Sequence, residues 1–148
     1  MDVSLTFALP REALTVPLIR RLIGEALRGL GAADDCVDDV LVAASEACTN
    51  VIRHSRASGD YRVSARVTES VCELEIADRG RGPRPAAAER GVLSESGRGI
   101  RIMRALVDDL DIDHVPDRGT VVHLRKRLTW RDGALVRRPE DRLITSAG

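Results

Sequence analysis

The sequence predicts an α+β domain, a two-layer sandwich in which a mixed, mostly antiparallel sheet carries helices on one face. Apolar and polar residues alternate over residues 3–9, 61–67, 72–76, 110–114 and 120–128, the period of a half-buried strand. Longer runs between them repeat at helical spacing. The resulting order, β-α-α-β-β-loop-α-β-β, joins neighbouring strands by short turns and supplies few helices, enough to cover one side of a sheet.

Val3, Leu5, Phe7 and Leu9 mark the first strand, which Pro10 ends. Leu14, Leu18, Ile19, Leu22, Ile23, Ala26, Leu27 and Leu30 recur with helical period, punctuated by Gly29 and Gly31. Pro17 predicts that the regular helix starts only near that residue. Asp34 or Asp35 is expected to cap the next helix, whose apolar face is Val37, Val40, Leu41, Ala44, Cys48, Val51 and Ile52. A turn containing Gly59 leads to Tyr61, Val63, Ala65 and Val67. Glu69-Ser70 then turns the chain into Cys72, Leu74 and Ile76, an antiparallel hairpin.

Residues 84–96 show no sustained period, and a loop of that length is expected to be a functional lid or disordered. Gly97-Arg98-Gly99 opens a helix with Ile100, Met103, Leu106, Val107 and Leu110 on its apolar face. Leu110, Ile112 and His114 form a short strand, the residues around Gly119 a turn, and 120–128 the last strand. Residues 1–128 are expected to be one domain, with 129–148 an extension: a hairpin around Trp130 and Asp132-Gly133, then a tail.

At 148 residues the chain is long enough for one domain with a real core. It has one Phe, one Tyr and one Trp, too few rings for a base-stacking nucleic-acid surface. Its formal net charge is zero, so no global field draws it to nucleic acid or an anionic membrane. All basic residues but Lys126 are arginine. Cys36, Cys48 and Cys72 are odd in number and lack metal spacing, so they are expected to be core thiols in a reducing cytosol. No apolar run reaches the roughly 20 residues of a membrane span, and the N-terminus does not resemble a signal peptide.

Three motifs carry chemistry. Glu46 and Asn50 stand four apart on the second helix, so they project from nearly the same side, with Arg53 on the next turn. A carboxylate and an amide so stacked hold a divalent cation or a water, or are two polar residues on a helix face. Asp78-x-Gly80-x-Gly82 follows a strand; it is either a common turn or a carboxylate placed to accept from an exocyclic amine beside exposed backbone. Gly97-x-Gly99 at a helix start is a plain turn or a cluster of free backbone N–H groups suited to phosphate. Neither glycine motif is a standard phosphate signature.

Taken in order, Glu46-x-x-x-Asn50, Asp78-x-Gly80-x-Gly82, Gly97-x-Gly99 before a helix and Gly119-Thr120 on a late strand resemble the GHKL (Bergerat-fold) ATPases. Within them, the stretch from Glu46 through Asn50 to His54 and the run from Gly97 to Met103 are most similar to bacterial anti-sigma factor serine/threonine kinases. The resemblance covers about residues 3–128 and does not reach the extension.

That resemblance implies ATP and Mg²⁺ as cofactors, and a role for each matching residue. Asn50 would coordinate Mg²⁺, and Glu46 would act as the catalytic base or orient the attacking hydroxyl. Asp78 would bind the adenine amino group, with Thr120 supporting it through water. Gly80 and Gly82 would shape the base pocket, and Gly97 and Gly99 would contact phosphate. Arg53 and Arg98 match basic positions within reach of phosphate, and are equally solvated surface charges. His54 is expected to pack or to complete a helix end.

The implied function is an anti-sigma factor that phosphorylates a serine or threonine of an anti-anti-sigma (STAS-type) antagonist and releases its sigma factor by partner switching. The alternative is a non-catalytic ATP-binding module that sequesters a partner. A homodimer is implied as well. Nothing matches the dimerisation helix of a histidine kinase, or the further domains of the gyrase and Hsp90 relatives, so a free-standing cytoplasmic module is expected.

Overall fold

The computed structural model describes residues 1–54, 59–78, 89–90, 97–115 and 119–134. In order the elements are β1 (Asp2–Pro10), α1 (Thr15–Leu30), α2 (Asp34–His54), β2 (Asp60–Thr68), β3 (Val71–Asp78), β4 (Glu89–Arg90), α3 (Gly97–Leu106), β5 (Asp109–Val115) and β6 (Gly119–Arg127). The strands form one six-stranded sheet in the order β1-β2-β3-β6-β5-β4. Every pairing among the described residues is antiparallel, so the expected sheet lies at the antiparallel end of its range.

The period of two separates the faces of this sheet. Tyr61, Val63, Leu74, Ile76, Val122 and Leu124 point inward and are buried. Ile19, Ile23 and Leu27 of α1, Val37, Val40, Ala44, Cys48 and Val51 of α2, and Met103 of α3 close over them. Each such aliphatic side chain contributes about 1.5–3 kcal/mol when fully buried. The other face stays polar. Arg66, Glu73, Arg125 and Asp109 are register neighbours across four strands, opposite charges in alternation. A groove of about 500 Å³ lies on this charged face, away from the three sequence motifs.

Helix α1 starts at Thr15, two residues before Pro17. Pro17 sits in the first turn, where backbone N–H groups have no intrahelical acceptor, so its missing donor costs nothing. Thr15 fixes the start instead: its Oγ1 donates to the Glu12 carbonyl (2.7 Å) and shares a 2.5 Å hydrogen bond with the Tyr61 hydroxyl of β2. Gly31, at φ 98°, ends the helix in the left-handed conformation. Its N–H reaches Arg28 O, and that of Ala32 reaches Leu27 O, two of the carbonyls a helix end leaves open.

Asp34 and Asp35 both lie inside the first turn of α2, where they act on the helix dipole. Leu110 belongs to β5, because α3 ends at Leu106. The two-residue β4 was not legible as a strand; it is too short to show a period and is defined by its pairing to β5. Of the extension, Trp130 bridges Ala32 between α1 and α2, and Ala134 N–H reaches Arg131 O across the Asp132-Gly133 turn. The second arm of the expected hairpin lies outside the described residues. No helix among the described residues is long and apolar enough to cross a membrane.

Candidate functional site

Helix α2 runs over the sheet with its apolar stripe down, which leaves Glu46 and Asn50 on its flank, toward α3. Glu46 is partly exposed, whereas Asn50 is 3% exposed. Helix α3 begins at Gly97, so Gly97 and Gly99 both occupy its first turn, where free N–H groups and the dipole favour an anion. A Cβ built on Gly99 would lie 3.6 Å from Glu46 Oε1 and 3.8 Å from Asn50 Oδ1. It would meet nothing within 4 Å on Gly97. Two motifs 47 or more residues apart in the chain thus form one cradle, and a side chain on Gly99 would fill it. The buried Nδ2 of Asn50 has no hydrogen-bond partner among the described residues.

Asp78 ends β3, 4% exposed, and Thr120 is the second residue of β6, fully buried. They stand one step beyond the Ala77–Val121 register pair, so strand pairing across 42 residues of sequence makes them neighbours. Gly119, at φ 125°, leans on Asp78 so closely that a Cβ there would overlap the carboxylate. That contact explains why glycine precedes Thr120. The same row of the sheet continues on both sides: Tyr61 pairs with Asp78, and His114 pairs with Thr120.

His114 Nδ1 lies 2.7 Å from Thr120 Oγ1. His54, at the end of α2, meets the His114 ring edge-on at 6.4 Å between centroids, the packing role expected of it. The C-terminal half of α2 therefore lies over the Asp78–Thr120–His114 row. Two buried groups beside this row hold their protons tightly. Burial pushes the Cys48 thiol up to about 12, and burial pushes the Tyr61 hydroxyl up to about 12 as well.

Arg53 and Arg98 are exposed on α2 and on the first turn of α3. Gly80 and Gly82 lie outside the described residues, as does most of the expected lid. His114 escaped the sequence reading because only the β5–β6 register sets it against Thr120; alternation alone marked it as a strand residue.

Residues 9–126 match the family model described as histidine kinase-like ATPase domain. The chain belongs to this family. The chain is also similar to the serine-protein kinases RsbW of Bacillus thuringiensis (strain Al Hakam) and Bacillus anthracis. Each is 29% identical to this chain over 131 residues, spanning 80% of it and 81% of the relative. RsbW of Bacillus cereus (strain Q1) matches to the same extent. The histidine kinase-like fold is also seen in the crystal structure of the RsbU and RsbW domains of a Mycobacterium tuberculosis protein. That chain superimposes with a TM-score of 0.68 over 86% of this one, at 23% identity. This chain spans only 32% of that longer one.

Proposed function

We propose that this protein is an ATP-binding anti-sigma factor with serine/threonine protein kinase activity towards an anti-anti-sigma (STAS-type) antagonist. The observation that carries the reading is the Gly99 cradle, which sets free helix N-terminal amides beside a carboxylate and a buried amide. That is the donor set a metal-bound triphosphate asks for. Membership of an ATPase family, with serine-protein kinases among its similar relatives, supports it from a second side.

Asn50 supplies a metal-binding oxygen, with Glu46 near enough to help through water. No three His, Cys, Asp or Glu side chains gather for a metal among the described residues, so phosphate and water would supply the other oxygens of an ion held by Asn50. Mg²⁺, when bound, would offset phosphate charge. Gly97 and Gly99 offer backbone N–H groups to phosphate, and Arg53 and Arg98 reach it from the rim. Asp78 accepts from the adenine amino group while Thr120 supports it through water, with Gly80 and Gly82 shaping the pocket. Glu46 takes the proton of the incoming serine as its oxygen bonds to the γ-phosphorus, and ADP leaves with the electron pair of the broken bond. The unphosphorylated antagonist displaces the sigma factor; phosphorylation ends that exchange. Residues 1–128 form the nucleotide-binding unit, and 129–148 an added extension.

Incubation with labelled ATP and an antagonist protein tests the reading. Label is expected on a serine of the antagonist, and Glu46→Ala is expected to abolish transfer while ATP binding persists. ATP binding without transfer to any antagonist would leave a nucleotide-dependent clamp in place of a kinase.

A further inference from the structure

We propose that His114 is a positioning residue of the base pocket, orienting the Thr120 hydroxyl that faces the nucleotide. The inference rests on the reading of Asp78 and Thr120 as the adenine site and adds a residue outside every motif described above. Thr120 is fully buried on a strand that pairs with β5, and His114 Nδ1 stands 2.7 Å from its Oγ1.

A threonine hydroxyl has one proton and a free rotor. With an unprotonated Nδ1 on His114, the hydroxyl donates to the ring and turns its lone pairs outward, to accept from a water or an amine. With a protonated Nδ1, the ring donates, and the hydroxyl proton is released toward Asp78 or a water. Either state pins the rotor before the base arrives, so binding need not order it. The edge-on packing of His54 at 6.4 Å holds the His114 ring in turn. His114 also pairs across the ladder with Glu89 of β4, inside the stretch between the Asp78 and Gly97 motifs. One imidazole thus stands in the row between that short strand and the base pocket.

The geometry distinguishes two substitutions with the same number and branching of side-chain heavy atoms. Asparagine places a polar atom near the position of Nδ1, whereas leucine offers only methyl groups there. Titration calorimetry with Mg-ATP is expected to show roughly 5- to 10-fold weaker binding for His114→Leu, the worth of one hydrogen bond. His114→Asn is expected to stay within about twofold of the parent. Thr120→Val and the double variant Thr120→Val/His114→Leu should bind alike, because His114 acts through Thr120. Inorganic tripolyphosphate, which has no base, should bind the parent and His114→Leu equally.

Equal losses for His114→Asn and His114→Leu alongside a fall in melting temperature would make His114 a packing residue and overturn the proposal. So would additive losses in the double variant, or unchanged ATP affinity in His114→Leu. If His114→Leu does not fold, the parent protein still decides. The ¹⁵N shift of His114 Nδ1 should move on adding AMP and not on adding tripolyphosphate, and a shift that ignores AMP sinks the idea. Asp78→Asn separates this inference from the reading beneath it. Parental ATP affinity in that variant removes the adenine site altogether, whereas a lost affinity with His114→Leu unaffected removes only the role of His114.

Discussion

The two halves of α2 share one apolar stripe and differ in what their polar residues do. In the first half, Asp34 and Asp38 face the Arg28 guanidinium at 4.0 and 3.5 Å, and Asp39 takes Lys126 Nζ at 3.2 Å. The thiol of Cys36 accepts from the Thr129 N–H at 3.4 Å, tying the helix to the extension. In the second half, Asn50 is buried with an Nδ2 that meets no acceptor among the described residues. Glu46 faces the backbone of a glycine. Polar groups that the chain satisfies itself hold the fold. A buried polar group left over is where the proposed ligand would supply the missing partner.

Substitution at the two ends is the sharpest way to break this contrast. Asn50→Ala is expected to weaken Mg-dependent nucleotide binding on the order of 100-fold, with no loss of unfolding free energy in the ligand-free protein. A drop in apo stability, measured by urea denaturation, would move Asn50 to the structural half. Next in size is Gly119→Ala. Its Cβ would fall on the Asp78 carboxylate at a backbone φ of 125°, so about 2–4 kcal/mol of stability should be lost with the nucleotide. Gly29→Ala is its control: nothing stands within 4 Å there and the site is helical, so stability should rise by about 0.5–1 kcal/mol.

Alkaline stability probes the neutral layer beneath the site. The thiols of Cys48 and Cys72 are raised from 9.0 to about 12 by burial, and the Tyr61 hydroxyl from 10.0 to about 12. A raised acid holds its proton more tightly folded than unfolded, so the stability it contributes is complete below pH 9 and declines as pH rises toward 12. Denaturation midpoints should fall across that window, and Cys72→Ala should shallow the slope. A flat profile would mean that both thiols titrate as exposed ones do. The smallest effect belongs to the first half of α2. Lys126→Met removes a partly exposed ion pair with Asp39, which is worth about 0–1 kcal/mol, and should leave nucleotide affinity unchanged.

Much of this was legible from local pattern. Period two and period 3.6 located five of the six strands and all three helices, because each depends on neighbours within one turn or one pleat. The two helix starts, expected near Pro17 and after a cap at Asp34 or Asp35, were placed one or two residues late. Helix ends are decided by tertiary partners such as the Thr15–Tyr61 bond as much as by the residues themselves. The resemblance carried by Glu46, Asn50, Asp78, Gly97 and Gly99 pointed to the family that residues 9–126 match. It did not say which of these residues touch.

By itself, then, the sequence determined the order of elements, the apolar face of each and the residue types available for chemistry. The tertiary structure alone decided their meeting. Inserting β6 between β3 and β5 makes Asp78, Thr120 and His114 one row, and docking α3 against α2 sets Gly99 against Glu46 and Asn50. The physical reason is range. Periodicity and capping are enforced by contacts a few residues apart, whereas strand order and helix docking are settled by burial of the whole core, which no short stretch encodes.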